Sequence, residues 1–225
     1  MLESRSAEGY RSSAWLLFWP LFGIRYLLIE NCRPSVVFHP VHCFLDDRIP
    51  FLEWFVMPYL FWHVCIIGMH LWLYLKNDPA YVPYSKYLIV SMGISTIIFL
   101  VYPTCQNLRP AVFLRENLLT DVVRLIYRMD TNTNVCPSEH VIGSVGFFLA
   151  AWYSDCFHHS GKIKWIGVTA FLTAVATVFL KQHSVLDVAA ALPVCAAGWM
   201  VAFHRRGGIR HGPCPYRIPF GGSSA

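Results

Sequence analysis

Hydrophobic residues along this chain are gathered into long runs, and polar residues are concentrated in the segments between them. A helix needs about 20 mostly apolar residues to cross a bilayer. The second and third runs have no charged residue in their interiors, whereas the first contains Arg25 and Glu30 and is the weakest. We therefore predict an all-α, polytopic membrane protein whose six transmembrane helices form one domain, residues 1–204. The predicted spans are 13–30, 55–75, 86–103, 139–156, 164–181 and 184–204.

The segments between the runs have patterns of their own. In the loop between the third and fourth predicted spans, apolar residues recur at helical spacing among charges over residues 109–130. This pattern predicts an amphipathic helix that lies on the membrane surface. The prolines and adjacent acidic residues of segment 36–54 favour an interfacial piece over a span. Residues 205–225 are rich in glycine and proline and are predicted to be a flexible cytoplasmic tail.

Composition supports a membrane protein, because 56% of the residues are hydrophobic and only 14% are charged, against about 25% charged in soluble domains. The net charge of +5 is small and no basic run is present, so we predict no nucleic-acid partner. The cysteines lack a CxxC pair and metal-ligand spacing, so we predict no metal and no other cofactor. We favour free cysteines; a disulfide among Cys32, Cys43, Cys105 and Cys136, which share one predicted side, is the alternative.

The distribution of positive charge predicts the orientation. Six spans place both termini on one side, and Lys and Arg are more frequent there, in the termini and in the loops 76–86 and 157–164, than on the other side. Positive loops favour the cytoplasm. We therefore predict cytoplasmic termini, in a plasma membrane or an endomembrane, and an opposite face that is extracytoplasmic or lumenal.

Three polar clusters interrupt the apolar pattern, and the predicted topology places all of them on that opposite face. They are Gln106–Pro110, Pro137–His140 and Lys181–Asp187. Ionisable residues at membrane depth are costly and therefore suggest function. Ser138 suits a helix N-cap, and the amides of a helix N-terminus attract anions such as phosphate. Glu139 is most simply a residue that compensates the helix dipole, and it would repel a phosphate unless it points away.

His183 and Asp187 are four residues apart, so on a helix they share a face. The carboxylate then holds one imidazole proton and leaves the other nitrogen free as a nucleophile or a base. A structural hydrogen-bonded pair is the alternative interpretation, as an interfacial arginine is for Arg109. Two histidines, a serine cap, an arginine and a lysine on one face are together typical of a phosphate-transfer site.

These clusters resemble the three signatures of the type 2 phosphatidic acid phosphatase superfamily, which read KxxxxxxRP, PSGH and SRxxxxxHxxxD. The matching residues are Arg109–Pro110, Pro137 to His140, and His183 with Asp187. The resemblance covers roughly residues 50–204 and is strongest to the branch of inositol-phosphorylceramide synthase-like and bacterial members. The sequence departs from the signatures where Tyr102 replaces the first lysine, Glu139 replaces a glycine, and Ala176 and Thr177 replace the serine–arginine pair.

The resemblance implies that His183 attacks phosphorus, that Asp187 orients it, and that His140 protonates the leaving alcohol and then activates water. It also implies phosphate binding by Arg109 and Ser138. Lys181 is a candidate substitute for one of the two missing cationic ligands, and Gln106 and Asn107 are candidate neutral donors. The function expected is hydrolysis of a lipid phosphate monoester or diphosphate through a phosphohistidine at the extracytoplasmic face. Transfer of a phospho-headgroup to another alcohol, or binding without catalysis, are the alternatives. The lipid, the acceptor and the oligomeric state stay open.

Overall fold

The computed structural model describes residues 12–31, 36–158 and 160–204. The predicted tail, residues 205–225, lies outside them, as do residues 1–11 of the predicted domain. After a 3-10 turn at Ser13–Leu17, the described elements are helices, a second 3-10 turn at Glu53–Phe55 and one pair of two-residue strands, β1 (His39–Pro40) and β2 (Thr104–Cys105). The helices are α1 (Phe18–Asn31), α2 (Phe44–Arg48), α3 (Val56–Leu75), α4 (Tyr81–Val101), α5 (Leu118–Met129), α6 (Glu139–Trp152), α7 (Asp155–His158), α8 (Lys162–Phe179) and α9 (Val185–Ala202).

Four helical segments are long and apolar enough to cross a membrane: Glu53–Leu75, Tyr81–Val101, Lys162–Phe179 and Val185–Ala202. They confirm a mostly helical protein with helices suited to spanning a membrane. The other two predicted spans, 13–30 and 139–156, correspond to α1 and α6, which have 14 residues each. At 1.5 Å per residue each measures about 21 Å, less than the roughly 30 Å of a hydrocarbon core.

Helix α6 lies at the centre of the fold and packs against α3, α4, α8 and α9. Two of its glycines make close packing possible. A Cβ on Gly143 would lie 2.6 Å from the Trp62 ring of α3, and one on Gly146 would lie 2.6 Å from the Tyr87 ring of α4. Tyr87 also donates a hydrogen bond to the main-chain oxygen of Ile142, 3.0 Å away. The central helix is therefore fixed along its buried face, and its first turn is held in a defined position.

The loop between α4 and α6 is only partly helical. Asn117 caps α5, since its side chain accepts a hydrogen bond from the Thr120 amide and its own amide donates one to the Thr120 hydroxyl. The helix predicted over 109–130 is therefore confined to Leu118–Met129, because its capped start lies at Asn117 and the residues before it form turns. Strands β1 and β2 pair in parallel and tie segment 36–54 to the start of the loop. Of the cysteines predicted to face outward, Cys43, Cys105 and Cys136 are free thiols, and Cys32 lies outside the described residues.

Candidate active site

His140 and His183 lie side by side although they come from different parts of the chain. His140 is in the first turn of α6 and His183 precedes α9, and their ring centroids are 5.6 Å apart. Ser138 caps α6, as predicted, and its amide donates to the Asp187 carbonyl oxygen at 3.1 Å. The starts of α6 and α9 are thus joined directly, which brings the two imidazoles together.

Asp187 holds His183 from behind. Its Oδ2 atom is 3.2 Å from Nδ1 of His183 and also accepts the Ser184 amide at 2.9 Å, and the Asp187 side chain is fully buried. A carboxylate only accepts hydrogen bonds, so Nδ1 carries the proton and Nε2 keeps its lone pair. The arrangement presents Nε2 of His183 as a nucleophile or a base.

Aromatic side chains of α3 surround His140. Its ring stacks on Tyr59 with a centroid distance of 4.5 Å and contacts Trp62 at 4.6 Å. Tyr59 in turn donates a long hydrogen bond of 3.4 Å to the carboxylate of Asp130. The position of His140 is therefore fixed on the sides that α3 covers.

Glu139, where the signature has a glycine, is paired with an arginine of α1. Nη1 of Arg25 lies 2.6 Å from Oε1 of Glu139, and Nη2 lies 2.7 Å from Oε2. Nη1 also donates to the Thr96 hydroxyl at 3.0 Å. We missed Arg25 as a site residue, yet two signals were present: an arginine inside an apolar run, and a glutamate in place of a glycine.

The histidines line a cavity of about 80 Å³. Three parts of the fold enclose it. Helix α1 contributes Arg25, Tyr26 and Glu30, and the loop before α6 contributes residues 130, 131 and 133–135. The third part contains Glu139, His140, Gln182 and His183. The cavity thus combines the two histidines with a wall that the sequence analysis did not connect to them.

Arg109 does not line this cavity. Its guanidinium donates to the carbonyl oxygens of Tyr127, Asp130 and Thr131 and, at 2.7 Å, to Oε1 of Gln182. Burial lowers the pKa of Arg109, and the Asp130 carboxylate opposes that shift. The predicted phosphate ligand therefore acts as a clamp on the loop and orients Gln182, a cavity residue that sequence reasoning missed.

Lys181 also faces away from the cavity. Its ammonium donates to the carbonyl oxygens of Asp46 and Ile49. Burial lowers the pKa of Lys181, and the carboxylates of Asp46 and Asp47 oppose that shift. The lysine thus anchors α2 against the His183 loop instead of offering a charge to a substrate.

The side chain of Asp46 completes this anchor. It accepts hydrogen bonds from the Ser184 hydroxyl at 2.6 Å, the Val185 amide at 2.9 Å and the Cys43 amide at 2.8 Å. Burial raises the pKa of Asp46, but the hydrogen bonds from Ser184, Val185 and Cys43 outweigh burial and hold it below its usual value. Asp46 therefore fixes the start of α9, one residue after His183.

The remaining predicted ligands are structural or exposed. Gln106 is fully buried; its Nε2 atom donates to the Lys181 carbonyl and its Oε1 accepts the Leu108 amide. Asn107 is exposed, and its side-chain oxygen accepts from Asn132 at 3.3 Å. Ser138 is buried as the cap of α6. Of the predicted site residues, only His140 and His183 line the cavity, with Asp187 directly behind.

No protein family, curated protein sequence or solved structure matches this chain. Within residues 12–31, 36–158 and 160–204, no group of three or more His, Cys, Asp or Glu side chains is arranged to hold a metal ion.

Proposed function

We propose that this protein is an integral-membrane enzyme that hydrolyses a lipid phosphate ester or diphosphate through a phosphohistidine. One observation carries the proposal: His140 and His183 share a cavity with centroids 5.6 Å apart, and Asp187 fixes the tautomer of His183. A nucleophile with an oriented free nitrogen beside a second proton carrier is the arrangement that nucleophilic phosphoryl transfer needs.

The reaction divides between the two imidazoles. Nε2 of His183 attacks phosphorus, so an N–P bond forms while the P–O bond to the lipid alcohol breaks. Protonated His140 gives its proton to the leaving alkoxide. Neutral His140 then takes a proton from water, whose oxygen attacks phosphorus. The N–P bond breaks, and the product that leaves is phosphate, or the phosphate monoester of the headgroup when the substrate is a diester. The Asp187 carboxylate stabilises the His183 cation throughout.

The donors that hold the phosphoryl oxygens differ from those that the resemblance implies. The α6 N-terminus, Arg25 and the Nε2 atom of Gln182 replace Arg109, Lys181, Gln106 and Asn107 in our proposal. Gln182 is supported by its orientation: because a guanidinium only donates, Oε1 must face Arg109, and the amide nitrogen is left to donate elsewhere. Arg109 then contributes through Gln182, as a positioning residue.

We propose that α1 and α6 complete a six-span membrane domain with the four candidate spans, and that both termini are cytoplasmic. The cavity would then open to the extracytoplasmic or lumenal face of a plasma membrane or an endomembrane. Helix α5 would lie on that surface, which is consistent with its exposed Leu118, Leu125 and Met129. An amphiphilic substrate would reach the histidines from the same leaflet.

Phosphate release from phosphatidate and from a lipid diphosphate tests the proposal with purified protein in detergent. We expect turnover by the wild type and a loss of at least a thousandfold in His183→Ala. The matched control is His42→Ala, which removes an exposed histidine that pairs with Asp47 and should leave turnover unchanged. Denaturing gels should reveal an acid-labile phosphoprotein from labelled substrate in the wild type and in no His183 variant.

Equal turnover by wild type and His183→Ala, with both variants folded by thermal melting, would overturn the enzymatic assignment. Retained binding of the lipid in that case would indicate a non-catalytic lipid-phosphate binder. Adding diacylglycerol or a ceramide and identifying the products by mass separates hydrolysis from transfer to an acceptor alcohol.

A further inference from the structure

The wall of the cavity contains two carboxylates, Glu30 and Asp130, that accept hydrogen bonds only from neutral groups. Glu30, near the end of α1, accepts from the hydroxyls of Thr131 and Thr133 and from Nδ2 of Asn134 at 2.7 Å. Asp130 accepts from the Tyr26 hydroxyl at 2.8 Å and from Tyr59. Both carboxylates line the cavity, and neither forms an ion pair with a cation in the described part of the chain.

The nearby cations do not balance these charges. Arg25 is bonded through both terminal nitrogens to Glu139, a third carboxylate of the cavity. Arg109 approaches Asp130 but donates to its main-chain oxygen and to neighbouring carbonyls. The cavity therefore keeps an excess of negative charge, which disfavours a substrate whose only charged group is a phosphate relative to one that also carries a cation.

Two buried amides in the same cavity have one unused atom each. Asn134 is 8% exposed; because Glu30 accepts from its Nδ2, its Oδ1 is left as an acceptor without a partner in the described chain. Gln182 is 3% exposed; because Arg109 donates to its Oε1, its Nε2 is left as a donor without such a partner. An unsatisfied buried polar atom is costly, so both atoms point to a ligand with an acceptor and a donor of its own.

We propose that Glu30, Asp130 and Oδ1 of Asn134 form a subsite for a primary ammonium, and that the substrate is a zwitterionic lipid with that ammonium close to its phosphate. A primary ammonium has three N–H donors for these acceptors, whereas a quaternary ammonium has none. The phosphate lies at Gln182 and His183, and the ammonium lies at the acidic wall. The inference rests on the proposed function, because it deepens the description of the same cavity.

Two kinds of lipid carry a primary ammonium close to a phosphate. The ammonium belongs to an aminoethyl headgroup, as in phosphatidylethanolamine, or to the lipid backbone, as in a sphingoid-base phosphate. Kinetics on both lipids are compared with phosphatidate, phosphatidylglycerol and phosphatidylcholine in the same detergent. We expect at least a tenfold higher kcat/KM for one or both primary-ammonium lipids, and the better of the two identifies the source.

Substitutions of Glu30 and Asp130, the acidic wall of the cavity, test whether these residues bind the ammonium. Glu30→Gln and Asp130→Asn should each raise KM for the primary-ammonium lipid about tenfold relative to KM for phosphatidate. Glu116→Gln, which removes an exposed carboxylate that pairs with Arg124, is the matched control and should change neither. The subsite would be overturned if the wild type preferred phosphatidate, phosphatidylcholine or phosphatidylglycerol and Glu30→Gln kept that preference.

A binding measurement keeps this inference separate from the proposed function. Equilibrium binding of phosphatidylethanolamine and phosphatidylglycerol to wild type and to Glu30→Gln needs no turnover. Selective binding that Glu30→Gln abolishes supports the subsite even if no lipid is hydrolysed in a His183-dependent way. Equal binding of the two lipids by wild type contradicts the subsite even if hydrolysis is found.

Discussion

The guanidinium of Arg25 and the carboxylate of Glu139 form two hydrogen bonds of 2.6 and 2.7 Å across 114 residues of sequence. Both side chains are mostly buried, with 17% and 15% of their surfaces exposed. The pair places a neutralised glutamate immediately before His140. A glutamate that would otherwise repel a phosphate is thus compatible with a site for one, because an arginine of another helix accompanies it.

We expect Arg25→Gln to lower the free energy of unfolding by about 3 kcal/mol, since it leaves Glu139 charged, buried and unpaired. The double variant Arg25→Gln with Glu139→Gln should recover most of that loss, because two amides replace two ions. Thermal melting in detergent measures the stability. If Arg25 also contacts the substrate phosphate, phosphate release should stay low in the double variant. Full recovery of both properties would limit Arg25 to neutralising Glu139.

Removal of the Asp46 carboxylate should disturb His183 without touching the substrate. Asp46→Ala leaves the Ser184 hydroxyl and the Val185 amide without their acceptor, and each buried unsatisfied group costs about 1–3 kcal/mol. We expect Asp46→Ala to lower kcat at least tenfold with little change in KM. Asp46→Asn should recover part of the lost kcat, because its side-chain oxygen still accepts a hydrogen bond. Asp47→Ala is the matched control, because Asp47 is exposed and bonded to His42. A changed KM with unchanged kcat would contradict a positioning role.

Gln182→Glu tests which of two amide side chains, Gln182 or Asn107, binds the substrate phosphate. The new carboxylate keeps the contact with Arg109 but replaces the free donor by a negative charge, so KM for a lipid phosphate should rise more than tenfold. Asn107→Asp makes the same chemical change at an exposed neighbour of the resemblance motif and should leave KM within twofold. Initial-rate kinetics on both variants measure the difference. The reverse result would return Asn107 to the site and remove Gln182.

Asp78, between α3 and α4, predicts a pH dependence of stability. Burial raises its pKa from the ordinary 3.8 to about 6, although the Ala80 amide and the Ser154 hydroxyl oppose the shift. A folded-state pKa above the unfolded value means that the folded protein binds the proton first, so stability rises as pH falls from 7 through 6 towards 4.

Asp78→Asn should therefore stabilise the protein at pH 7.5, by at most about 3 kcal/mol, and flatten the change in melting temperature between pH 7.5 and 5. Asp121→Asn, at an exposed carboxylate bonded to Arg124, is the control and should leave that slope as in the wild type. If the melting temperature of Asp78→Asn changed with pH as much as that of the wild type, Asp78 would be excluded as the source of the pH dependence.

Local patterns predicted much of this protein. The apolar runs at 55–75 and 184–204 correspond closely to α3 and α9, because hydrophobicity and length are properties of a single segment. Ser138 as a cap was readable for the same reason. The pairing of His183 with Asp187 was predicted from helical spacing, yet His183 lies just before α9, and Asp187 in the first turn reaches back to its Nδ1 atom.

The hydrogen-bond partners of the charged side chains could not be predicted from local sequence patterns. Arg109 and Lys181 looked like phosphate ligands, yet both bind main-chain carbonyls of distant loops. Main-chain carbonyls leave no trace in a sequence, so an arginine that binds them cannot be told from one that awaits an anion. Gln182 was overlooked because its role depends on Arg109, which reaches it only in the folded chain.

Helix α1 supplies Arg25, Tyr26 and Glu30 to the cavity, whereas the two imidazoles and Asp187 come from the second half of the chain. In the proposed function, the residues that break the bond come from the second half of the chain, whereas the ammonium subsite combines Glu30 of α1 with Asp130 and Asn134 of the loop before α6. If that proposal holds, substitutions at Glu30 and its neighbours in α1 would change the headgroup preference while His140, His183 and Asp187 stayed unchanged. Relatives with the same histidines and a different first helix would then be expected to act on different lipids.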